Sequence, residues 1–108
     1  MNQIYLRAFF PADNEDEAEK RIEPFIKFIK SKFDIEKINL EKYWKITENF
    51  DLILILRNST NLSLTDVTTM FGENWRPAGS LGAVLNEKTG GKSYFPYVHW
   101  INIDMLEL

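Results

Sequence analysis

The chain has 108 residues, 44% of them hydrophobic and 27% charged, the size and balance of one globular domain. It holds no cysteine and one histidine, His99, which excludes disulfide frameworks, thiol nucleophiles, cysteine-ligated metals and any site built on two imidazoles. Thirteen basic against sixteen acidic side chains leave a net charge of −3, the wrong sign for a general nucleic-acid binder.

Asn2-Gln3-Ile4-Tyr5 follow Met1 without a basic stretch or an apolar signal core. The longest apolar run, Leu52 to Leu56, is five residues, against the ~20 a membrane helix needs. These features predict a cytoplasmic protein with no membrane partner.

Ile4, Leu6, Ala8 and Phe10 alternate with Tyr5, Arg7 and Phe9, the pattern of a strand that Pro11 ends. Asp13, Asn14, Glu15, Asp16, Glu17, Ala18 and Glu19 open a helix. Its Ala18, Ile22, Phe25, Ile26, Ile29 and Phe33 recur at the spacing of one buried face. Acids fill its first half, and Lys27, Lys30 and Lys32 its second, which complements the helix dipole. Pro24 predicts a kink or a division into two helices.

From Glu36 the period becomes two, with Ile38, Leu40, Trp44 and Ile46 on one side and Lys42 suggesting a bulge or a strand end. Glu48-Asn49 turns into Phe50 to Arg57, apolar on both parities, which predicts a central strand covered on both faces. Ser63-Leu64-Thr65-Asp66 reads as a capping box opening a short helix to Phe71, with Gly72 after its end. All five glycines fall between Gly72 and Gly91, around Trp75-Arg76-Pro77. Asn86 to Lys92 reads as a hairpin tip between Leu81–Leu85 and Ser93–Tyr97. Tyr97 to Leu106 is a last strand, with Ile101, Ile103 and Met105 on one parity and Trp100 on the other.

This order predicts an α+β fold: a single antiparallel sheet with helices on one face, in the split βαβ order of a ferredoxin-like sandwich. It forms one domain over residues 1–108.

Few residues suggest catalysis. His99 lacks a GxSxG serine to work on, and reads instead as a strand residue packed beside Trp100 or Tyr97. The acids from Asp13 to Glu23 lack a calcium-loop pattern and an aromatic wall, and the helix dipole accounts for them. Gly90-Gly91-Lys92-Ser93 ends like a phosphate-binding loop, but lacks its upstream glycine and leads into Tyr94-Phe95-Pro96 rather than a helix. No catalytic residue, metal or cofactor is expected.

Trp75, Arg76 and Tyr94 are of the types that most often anchor protein partners. Trp75 also suits a plug for the end of the core. An acidic, cysteine-free α+β chain with these aromatic loops resembles the small bacterial immunity proteins of contact-dependent growth inhibition systems. That resemblance implies a cognate toxin domain as partner, often a nuclease, bound one to one with its active site occluded. Steering by Asp13, Glu15, Asp16, Glu17 and Glu19, or by Glu73 and Glu87, toward a basic groove would fit it, with Trp75, Arg76 and Tyr94 as anchors. The alternative is a small ligand-sensing or regulatory module on the same fold.

Overall fold

The computed structural model describes residues 2–43 and 48–107. Its principal sheet has six antiparallel strands in the order β2-β3-β1-β8-β6-β5. These are β1 (Asn2–Pro11), β2 (Asp34–Lys42), β3 (Asn49–Arg57), β5 (Arg76–Pro77), β6 (Gly82–Asn86) and β8 (Trp100–Glu107). Helix α1 (Glu15–Lys32) joins β1 to β2, and α2 (Leu64–Phe71) follows β3. A two-stranded ladder, β4 (Gly72–Glu73) with β7 (Lys92–Ser93), forms a small lobe with the 3-10 turn Glu87–Thr89.

Strand parity decides what is buried. Ile4, Leu6, Ala8 and Phe10 of β1, Phe50, Leu52, Leu54 and Leu56 of β3, and Ile101 and Ile103 of β8 are buried. They share one core with Ala18, Ile22, Phe25 and Ile29 of α1 and Val67 and Phe71 of α2. Both helices therefore cover the same face. The other parity of β3 (Asp51, Ile53, Ile55, Arg57) is half-buried, so the expected cover on both faces is corrected: among the described residues, helices cover only one. A central place between β1 and β2, not a second helical layer, accounts for its apolar sequence.

Asn14 caps α1 by accepting from the Glu17 N–H at 2.9 Å, and Pro24 lies inside one unbroken helix. The capping box of α2 forms as expected: Asp66 N–H donates to Ser63 Oγ at 3.1 Å, and Ser63 N–H to Asp66 Oδ2 at 3.0 Å. The register shift in β2 falls between Ile35 and Lys37 rather than at Lys42. The expected continuation through Trp44 and Ile46 lies outside the described residues.

The hairpin expected at Asn86–Lys92 is also corrected. β6 pairs with β8 and β5, and β7 pairs with β4. The 3-10 turn and left-handed Gly90 (φ 99°) bring Gly91 back to the end of β6, where its N–H donates to Asn86 O at 3.0 Å, and β7 then pairs with β4 instead. The last strand starts at Trp100 rather than Tyr97, whose φ of 70° is not a strand conformation.

Candidate functional site

One end of the sheet collects the chemistry. β1 runs toward Pro11, where the acidic start of α1 follows. Phe9 pairs with Trp100 across the β1–β8 ladder, and Trp100 with Asn86 across the next. The Tyr43 N–H donates to Asn49 O at 2.8 Å, bringing the end of β2 to the same level.

On the face without helices, Phe9 lies between two rings: Tyr43 at 4.6 Å and Trp100 at 4.7 Å between centroids. Such tilted pairs contribute about 0.5–1.5 kcal/mol each beyond their burial. The Arg7 guanidinium sits 5.0 Å over the Phe9 ring. It also grips the Asp51 carboxylate with two nitrogens, Nη2 at 2.7 Å and Nε at 3.0 Å. That hydrogen bond and the carboxylate charge raise the Arg7 pKa above the ordinary guanidinium value, and the fork holds its plane in place.

Beside the rings, Phe9, Pro11, Tyr43, Lys88, His99 and Trp100 line a cleft of about 530 Å³. Glu87 fixes its histidine: one carboxylate oxygen meets His99 Nδ1, and the other accepts from the Ser93 N–H at 3.2 Å. An ionised carboxylate only accepts, so the contact favours the tautomer with its proton on Nδ1. The Glu87 N–H also donates to His99 O at 3.1 Å. The His99 side chain stays 57% exposed. The Ser93 hydroxyl is engaged by Phe95, accepting from its N–H and facing its carbonyl. No serine oxygen is bonded to His99 among the described residues.

The acidic helix start lies at this same end. Glu17 accepts from the Asp13 N–H at 3.1 Å and pairs with Arg21 at 3.0 Å. Asp13, Glu15, Asp16 and Glu19 are exposed. Arg21 stacks 4.5 Å from the Tyr97 ring, tying the helix start to the segment before β8.

The lobe and the neighbouring strand β5 gather the remaining residues singled out from the sequence. Trp75 packs against the core and donates its indole N–H to Gly72 O at 3.1 Å. Arg76 donates to Thr89 O at 3.1 Å, and Asn74 to Gly90 O at 3.2 Å. Tyr94 is exposed, and its pKa is raised by desolvation, then by the charge and hydrogen bond of Glu73. Glu87 belongs to both surfaces, since it holds Ser93 in the lobe and His99 at the cleft.

Sequence reasoning missed the ring row and the Glu87–His99 pair. The row did leave a signal: Phe9, Trp100 and Arg7 occupy the parity of their strands opposite the core. The pair left none, because its members are twelve positions apart and meet only through the β6–β8 register.

Among the described residues, no three His, Asp or Glu side chains are placed to hold a metal ion. No described helix is long and apolar enough to cross a membrane. No family model, curated protein or solved structure matches the chain.

Proposed function

We propose that this protein is a binding protein of the immunity type, a non-enzymatic cytoplasmic inhibitor that neutralises a toxin domain by covering its active site. The observation that carries this reading is the Tyr43–Phe9–Trp100 row, with Arg7 above it, at the sheet end where the exposed acidic helix start also lies. Aromatic and arginine side chains supply most hot spots in protein interfaces. A rim of Asp13, Glu15, Asp16 and Glu19 favours encounter with a basic surface, such as the substrate groove of a nuclease. Glu73, Arg76 and Tyr94 extend the surface along the lobe, with Trp75 supporting it from beneath.

The fold reading goes with it. We read β2-β3-β1-β8 as the split βαβ order of a ferredoxin-like sandwich, with β4 to β7 inserted before the last strand and β6-β5 widening the sheet.

Co-expression with the product of the gene immediately upstream tests the reading. A one-to-one complex and recovered growth in cells that the product otherwise poisons are expected. Absence of both overturns it. The cleft favours one other reading, a small-ligand sensor, because its volume lies within the ~300–1,000 Å³ of small-molecule sites and its lining mixes rings with polar groups. A thermal shift with a metabolite, reversed by W100A, would support that instead.

A further inference from the structure

The two edges of the principal sheet are treated differently. On one side the edge is β5, two residues long with Pro77 in it, which is a protected edge. On the other the edge is β2, nine residues long, with no strand beyond it among the described residues. Ile38 in its middle is 53% exposed.

The outward backbone of β2 can be assigned. Tyr43 bonds to Asn49 of the β3 side, and the ladder continues through Glu41–Asp51, Asn39–Ile53 and Lys37–Ile55. Antiparallel ladders alternate bonded and non-bonded pairs. Tyr43, Glu41, Asn39 and Lys37 therefore turn their backbone groups toward β3, and Ile38 and Leu40 turn theirs outward.

We propose that β2 is a homodimer interface, pairing antiparallel with β2 of a second copy about a two-fold axis at Asn39. That register sets Ile38 of each copy against Leu40 of the other, residues whose backbone N–H and C=O groups turn outward from β3. It sets Lys37 against Glu41 twice, in the closer, non-hydrogen-bonded pairs where cross-strand charges interact best. Neither side chain has an ion-pair partner of its own among the described residues. An axis at Lys37 would place the two lysines against each other. Axes at Ile38 or Leu40 would leave Lys37 and Glu41 opposite uncharged residues, and only Asn39 matches both charge and apolar type. Ile38 and Leu40 also line an apolar groove under α1 with Ile22, Ile26 and Leu52, which the second copy's Leu40 and Ile38 would prolong. The helix-free face stays open on both copies.

Sedimentation velocity over a wide concentration range tests this. The full chain is expected to reach twice 12.7 kDa. K37E, at an exposed side chain, should raise the dimer dissociation constant about tenfold or more by opposing carboxylates at both sites. K37E/E41K should restore dimerisation, which also shows that the altered strand folds. A monomeric wild type, a dimer indifferent to K37E, or a charge swap that stays monomeric would each overturn the proposal.

Discussion

Phe9 and Trp100 stand directly opposite each other on neighbouring antiparallel strands, their ring centroids 4.7 Å apart on the face that no helix covers. Two large rings on the outward parity enlarge an apolar surface that solvation alone would not favour. A partner that buries them gains area already rigid before binding, which lowers the entropy cost of association.

Truncating these rings should separate affinity from stability. F9A loses two ring contacts, so a stability cost of about 1–3 kcal/mol is expected in chemical denaturation. The loss of partner affinity should be about 2 kcal/mol or more for either F9A or W100A. Titration calorimetry beside urea melts reads both quantities on the same samples. Equal affinity for the wild type and W100A would place the interface elsewhere.

The acidic helix start should act on encounter rather than on the bound state. E15K/D16K/E19K reverses exposed charges while leaving Glu17, which holds the Asp13 N–H and Arg21, in place. Association with a basic partner is expected to slow about tenfold at low salt, with the difference shrinking as salt screens it. Stopped-flow rates at two ionic strengths decide this, and a rate unchanged at low salt removes the steering role.

The α2 cap predicts a pH signature. Hydrogen bonds from the Ser63 backbone and then its side chain lower the Asp66 pKa below its ordinary 3.8. A carboxylate whose pKa falls on folding contributes stability above its unfolded value and loses it as pH drops through the folded one. D66N should therefore melt below the wild type at neutral pH, and the gap should narrow below about pH 4. S63A should cost about 1 kcal/mol at neutral pH.

Gly72 is required for space, not for backbone freedom, since its φ of 172° is extended. A Cβ there would run into Leu85 Cδ1 and the Lys92 carbonyl oxygen, where β4 meets β7. G72A should destabilise the chain by about 1–3 kcal/mol, because backbone as well as side chain must yield. A denaturation midpoint unchanged in G72A would mean the lobe is looser than its contacts imply.

The elements legible in the sequence are those whose signal is local. Alternation located β1, a run apolar on both parities located β3, the 3.6-residue period located α1, and Ser63 with Asp66 marked α2 to the residue. The division read as one outcome of Pro24 does not occur, since α1 runs through it as one helix. The lobe resisted reading for a physical reason. β4, β5 and β7 are two residues each, too short for any period, and β4 meets β7 only across the intervening β5 and β6. The site was half legible: the acids of α1 and the loop residues stood out by type, with Trp75 correctly open to a packing role. The ring row needed the strand order, which brings Tyr43, Phe9 and Trp100 together from three separate strand ends.

The most direct test of the central claim is a titration of the purified upstream gene product with the wild-type chain and with F9A/W100A. The account predicts one partner per chain for the wild type, and affinity weakened about a hundredfold or more in the folded double variant. Undiminished affinity in that variant, or no binding by the wild type, would contradict it.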